Sequence, residues 1–297
     1  MMGKILRSVD QIAGRGQREV AIPDGFTKIG AGAFRNCEAL VSVVIPASVT
    51  EIGQCAFRGC TALEKIVIPA SVTKIGAGAF YGCTSLVSIE IPNSVKKIGD
   101  WAFHGCTLLA GVVIPESVTE IADGVFDSCK ALASVVIPNN VTKIGEWAFS
   151  GCTSLVSAVI PDTVTKIGEW AFSSCTSLAS VVISKSINEI AEGTFEGCIS
   201  LVSVVIPDSV TEIRLFAFMG CSSLRNVEIP ASVIKIGGWA FRACKALVSV
   251  EIPDHIAEIG EDAFEGCISL ESVSVPKAAR WEDGTFENCP KLKITRR

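Results

Sequence analysis

The chain has 297 residues, 49% of them apolar and 19% charged, with a formal net charge of −5. That composition falls in the ordinary globular range, and its mild acidity, with Lys and Arg spread along the chain, argues against a nucleic-acid protein. No run approaches the roughly 18 consecutive apolar residues of a membrane-spanning helix, so no membrane insertion is expected.

Residues 1–19 read as an N-terminal cap. Its apolar positions Ile5, Leu6, Val9 and Ile12 are interrupted by Arg7, Asp10 and Gln11, so no continuous apolar stretch of a secretory signal is present. From residue 20 to 297 the chain reads as a single repeat array. Pro23, Pro46, Pro69, Pro92, Pro115, Pro138 and Pro161 stand 23 residues apart, Ser184 takes the next slot, and Pro207, Pro230, Pro253 and Pro276 continue the series. After Pro276 the unit loses one residue, so Phe286, Cys289 and Leu292 arrive one place early.

One unit, counted from proline, reads P-x-S-V-T-x-I-G-x-x-A-F-x-G-C-x-x-L-x-x-V-x-I. Within it, Lys65-Ile66-Val67-Ile68 alternates as a strand does, and Pro69 ends the ladder because it lacks an N–H. The stretch Ile-Gly-x-x-Ala-Phe-x-x-Cys-x-x-Leu spaces its apolar residues three or four apart, which predicts a short helical or 3₁₀ turn. About eight inward side chains cannot form a core alone. Stacked units bury each other's faces, so about twelve of them form a solenoid in which every core position becomes a column.

The pattern C-x-x-L-x-x-I-x-I-P followed by S-V-T-x-I-G-x-x-A-F-x-G-C resembles the BspA-like, or Treponema-type, class of leucine-rich repeats, from about Val20 to Leu292. Its departures are local: Ser184 for proline, Arg214, Ala122 and Ala191 for glycine, and the shortened last unit. Arg214 suggests that this glycine slot does not need a positive φ. The resemblance implies an α/β, β-rich, right-handed solenoid with parallel strands on one face and short helical or 3₁₀ turns opposite. It also implies a role in protein or host-surface binding, as in bacterial adhesins, and it carries over no site residues.

Of thirteen cysteines, twelve form the repeat column from Cys37 to Cys289 and none makes a C-x-x-C pair, so they read as small buried hydrophobes with a weak S–H donor. Free thiols fit a reducing compartment, whereas the family resemblance points to the cell surface. Cys55 lies outside that column and is the candidate accessible thiol. The two histidines, His104 and His255, occupy different columns, and no nucleophile-elbow, phosphate-loop or zinc-protease motif appears. No catalysis, cofactor or metal is therefore expected.

Function then falls to the outward columns. From Val113 to Val205 two neighbouring strand columns make an uncharged Ser/Val ribbon that includes Val136, Val159 and Val182. It is either inert strand filler or a weakly apolar docking strip. A second column, preceding Ala-Phe, holds Trp101, Trp147, Trp170, Phe216 and Trp239 against Gly32, Gly78, Gly124 and Gly193. It is either partial packing or an aromatic strip for protein or glycan. A third, mixed-sign column (Lys28, Glu51, Lys74 and onward) reads as a solvated face with compensating charges. The expected molecule is a monomeric, non-catalytic scaffold that binds a protein, such as a host surface or matrix protein, or a glycan. The alternative is a structural, self-associating solenoid.

Overall fold

The computed structural model describes residues 4–297, the side chain of Asp283 excepted. The chain is a parallel β-solenoid of about thirteen turns with almost no helix. It forms two compact units: one contains the chain up to Val141 together with Trp147–Thr153, the other Thr142–Glu146 with Ser154–Arg297.

Each turn has three segments. In the turn after Pro46, a two-residue strand, Glu51–Ile52, leads into a run of tight turns, which leads into the strand Lys65–Val67. In the first unit, Lys28, Glu51, Lys74 and Lys97 are aligned in one parallel ladder, while Ser42–Val44 pairs with Lys65–Val67 in another. In the second unit, Glu189–Ile190, Glu212–Ile213, Lys235–Ile236 and Glu258–Ile259 form one ladder, and Ser203–Val205, Asn226–Glu228, Ser249–Glu251 and Ser272–Val275 the other. Strands thus occupy two segments of every turn rather than one. Residues 4–21 already follow this path, since Lys4–Leu6 pairs with Phe26–Ile29 and Glu19–Ala21 with Ser42–Val44.

The third segment is not helical in the regular sense. Ala56, Arg58 and Cys60 donate their N–H groups three residues back, to Gly53, Cys55 and Phe57, which is 3₁₀-type bonding. The alternate residues Cys55, Phe57 and Gly59 instead donate to Ala77, Ala79 and Tyr81 of the next turn. Every backbone donor from Cys55 to Cys60 is thus used, although the chain never completes a helix. Regular 3₁₀ helix is confined, among the described residues, to Val9–Gln11 and Asp283–Phe286, the latter where the last unit is one residue short.

The core is a set of columns. Phenylalanine rings from Phe34 to Phe149 in the first unit stack with centroids 4.9 to 5.7 Å apart, and those from Phe172 to Phe286 in the second do so at 5.2 to 5.8 Å. Beside them the cysteine thiols point inward, and those from Cys60 to Cys152 and from Cys198 to Cys267 donate to the carbonyl of the phenylalanine one turn back. Cys60 Sγ lies 3.0 Å from the Phe34 oxygen, and Cys83 Sγ lies 3.2 Å from that of Phe57. Burial raises these thiols, pushing Cys60, Cys129 and Cys267 up to about 12. Titration of the native protein with a thiol reagent at pH 8 should therefore find two reactive groups, Cys55 and Cys289, since the other eleven are buried. All thirteen should appear after denaturation. A native count well above two would contradict the buried column.

The glycine after the Ile of the second-type strand has a steric reason. A Cβ on Gly76 would fall 2.5 Å from the Gln54 nitrogen, and one on Gly168 2.4 Å from that of Glu146. The slot is thus set by close approach to the previous turn and not by φ, because Arg214 occupies it without a positive φ.

Candidate binding surface

The outward side chains of the Lys65-type strands form the first candidate strip. Alternation along the strand turns the middle residue into the core and its neighbours to solvent. Val136 is 70% exposed in the first unit, and Val159, Val182 and Val205 are 61%, 58% and 79% exposed in the second. Ser157, Ser180 and Ser203 stand beside the latter three, exposed, and no charged residue occurs in these strands. The adjoining column adds exposed Val156 and Val202. Large apolar side chains held outward on a rigid ladder, without charge over three successive turns, are unusual for a freely solvated face.

The second strip sits on the turn segment, so the structure does not merge the two. Its residues share a left-handed backbone: φ is 58° at Trp101, 51° at Trp147, 57° at Trp170, 58° at Phe216 and 54° at Trp239. For a bulky residue that conformation costs roughly 1–2 kcal/mol relative to glycine. The rings recover part of it by lying across the next turn. A Cβ on Gly124 would fall 2.2 Å from Trp101 Cε3, and one on Gly193 the same distance from Trp170 Cε3. At these two positions glycine leaves the room that the ring occupies, whereas Trp147, Phe216 and Trp239 are followed 23 residues on by Trp170, Trp239 and Asp262. Each ring seated on glycine then meets the ring two turns on, with Trp101 6.0 Å from Trp147 and Trp170 5.8 Å from Phe216. The adjacent pair Phe216 and Trp239 stacks at 5.3 Å, and Trp239 Nε1 donates to Asp262 Oδ2 at 3.1 Å. Cys55 and Asp262 belong to this same column, with φ of 52° and 51°. A Gly124→Ala variant should displace the Trp101 ring, shift its fluorescence and cost about 1–3 kcal/mol by overpacking; unchanged fluorescence and stability would contradict the contact.

The mixed-sign column behaves as a compensated face. Glu51 bridges Lys28 at 2.9 Å and Lys74 at 3.1 Å, and the hydrogen bonds from these two ammonium groups lower its carboxyl below the ordinary value. Arg214 reaches Glu189 at 3.1 Å and Glu212 at 3.6 Å. On the turn segment, His104 Nδ1 stands 2.8 Å from Asp127 Oδ2, under the ring of Tyr81. Sequence reasoning did not find this cluster, because its members share only a column of unlike residues. His255 lies elsewhere, against the Ala231 carbonyl. Among the described residues no group of three or more His, Cys, Asp or Glu side chains is placed to hold a metal ion, and no helix is long and apolar enough to cross a membrane.

Three overlapping stretches, residues 14–133, 108–224 and 211–295, match the BspA type leucine rich repeat region. No curated protein sequence matches the chain. Among crystal structures, the chain is similar to a leucine rich cell surface protein of Faecalibacterium prausnitzii, with 34% identity, 95% of this chain and 88% of that one covered, and a TM-score of 0.66. It is also similar to a leucine-rich repeat protein of Bacteroides ovatus, with 31% identity, 98% and 87% covered, and a TM-score of 0.73. A leucine-rich repeat protein of Eubacterium ventriosum aligns at 26% identity over 84% of this chain and 82% of its own, with a TM-score of 0.57. With the 23-residue columns, the paired ladders and these matches agreeing, the chain belongs to the BspA-type family of leucine-rich repeat proteins.

Proposed function

We propose that this protein is a non-catalytic, adhesin-like scaffold that is displayed at a bacterial cell surface and binds a protein partner through the exposed face of its Lys65-type strands. The observation that carries the reading is the uncharged valine column of the second unit, held outward at Val159, Val182 and Val205. The cell-surface Faecalibacterium relative supports the location. A protein is favoured over a glycan because several rings of the aromatic column are already stacked on one another, as Trp101 on Trp147 and Phe216 on Trp239, leaving mainly edges for a sugar.

The test is a binding screen against host matrix proteins and glycans, followed by two variants. Replacing Val159 and Val182 with lysine should weaken binding of the partner by roughly 30-fold or more, as burying unpaired charge at an interface centre does. Trp147→Ala should change it less than threefold. A partner that binds both variants as well as the wild type, or that responds only to Trp147→Ala, would overturn the assignment of the face.

A further inference from the structure

The ladders are not continuous within each unit; in the first, Lys65–Val67 and Ser88–Ile89 are joined only by a bridge from Val67 to Glu90. In the second unit the ladder containing Lys166–Ile167 ends there and another begins at Glu189–Ile190. The ladder containing Ser180–Val182 also ends there, and another begins at Ser203–Val205. Both gaps fall at one place, between the repeat that opens at Pro161 and the repeat that opens at Ser184. The Phe172 and Phe195 rings there stand 5.8 Å apart, against 5.2 to 5.5 Å between the later rings of the second unit. A cleft of about 230 Å³ lies between the strands, lined by Thr165, Lys166, Ile167, Ile187, Asn188 and Glu189.

The repeat opening at Ser184 also departs from the pattern at several places. Serine replaces proline at 184, asparagine replaces threonine at 188, alanine replaces glycine at 191 and threonine replaces alanine at 194. Ala191 carries a Cβ in the slot where glycine otherwise lets successive backbones touch. Two other repeats separate the contributions. Ala122 fills the same slot, and there too the ladder containing Lys97–Ile98 ends before Glu120–Ile121, but across that boundary Gly111–Val113 and Ser134–Val136 remain paired. Arg214 fills it without a break, since the Arg214 N–H still donates to Ile190 and its guanidinium ties Glu189 to Glu212. A Cβ in the slot thus loosens one ladder unless an ion pair spans it, and the further changes at Ser184 accompany loss of the second.

The turn segment stays bonded across the same boundary. Trp170, Phe172 and Ser174 donate to Glu192, Thr194 and Glu196, and the Ser173 hydroxyl donates to Glu196 Oε2 at 2.7 Å. Near Ser184, the Lys185 N–H donates to Asp162 Oδ1 and the Ser186 hydroxyl to the Asp162 carbonyl. Two of three sides lack paired strands, one of them keeping a long bond from the Val202 N–H to the Ala179 carbonyl at 3.4 Å, while the third is intact, which is the construction of a hinge.

We propose that the boundary between the Pro161 and Ser184 repeats is a built-in hinge at which the second unit opens along both strand ladders, pivoting on the turn segment. Opening changes the spacing of Val182 and Val205, neighbours across the boundary, and so lets the exposed face adapt; the hinge stands whether or not that face binds a partner. Hydrogen exchange on the full chain tests it. Amides of Glu189–Ile190 and Ser203–Val205 should exchange at least roughly ten-fold faster than those of Glu212–Ile213 and Asn226–Glu228, as low-stability openings do. The combined variant Ser184→Pro, Asn188→Thr, Ala191→Gly should bring the two sets within roughly threefold. Equal rates in the wild type would overturn the hinge, as would fast exchange that a folded variant fails to slow. Should the triple variant not fold, Ala191→Gly alone decides, with slower exchange expected at Glu189–Ile190 and no slowing counting against the proposal.

Discussion

Replacing Phe103 with alanine is expected to destabilise the first unit by about 3–5 kcal/mol, the range for removing a fully buried aromatic ring. The ring is sandwiched between Phe80 at 5.3 Å and Phe126 at 5.5 Å and is wholly buried. Its neighbours cannot close the void, because each is fixed by hydrogen bonds from its own turn to the next, such as Phe80 N–H to the Ala102 oxygen. In a repeat array, stability is approximately a sum of unit terms and nearest-neighbour terms, and this substitution strikes two interfaces at once. Denaturant unfolding followed by far-ultraviolet circular dichroism should lose its single transition and show an early phase from the turns around Phe103. A loss below about 1 kcal/mol, with cooperativity kept, would show that the column repacks.

Alkaline pH should be the second large perturbation. Nine wholly buried thiols, Cys37, Cys60, Cys83, Cys106, Cys129, Cys198, Cys221, Cys244 and Cys267, are raised in the native state chiefly by burial. A thiol whose native value lies above its unfolded value supports the fold fully below the unfolded value, about 8.5, and that support is lost as pH climbs toward the native one. The unfolded chain releases protons that the folded chain retains. Each such thiol removes up to about 1.4 kcal/mol per pH unit in that window, so several unfolding together remove several times that per unit. Typical domain stabilities are about 5–15 kcal/mol. Thermal melts under a reducing agent should therefore hold steady from pH 7 to 8.5 and fall steeply by pH 10. A melting temperature that stays flat to pH 10.5 would refute this, and replacing Cys83 and Cys106 with alanine should shallow the fall.

The repeat, the core columns and the inward thiols were legible from spacing alone, because a 23-residue period with so few insertions leaves each buried position only one kind of neighbour. The second strand was not. Glu51–Ile52 is two residues long, too short for a period-two signal, and it acquires its ladder only from the turns before and after it. The aromatic column was visible as residues but not as geometry. Nothing in a one-dimensional string says that Trp101 and Gly124 share a left-handed backbone, or that the glycine is small because a ring lies upon it. The breaks at Ala122 and Ala191 could be seen as departures from the pattern, yet Arg214 departs at the same slot and keeps its ladder through an ion pair that only the folded chain reveals. The outward valines were legible as exposed for the same reason that the strands were, since each alternates with a buried partner such as Val135 or Val181.

The way Trp101 rests on Gly124, and Trp170 on Gly193, makes neighbouring coils unequal partners: one supplies a lid and the next leaves room for it. At these two places a copied coil that put a larger side chain in the seat would have to push the lid aside. Any attempt to lengthen or shorten the chain near them should therefore keep Trp101 with Gly124 and Trp170 with Gly193.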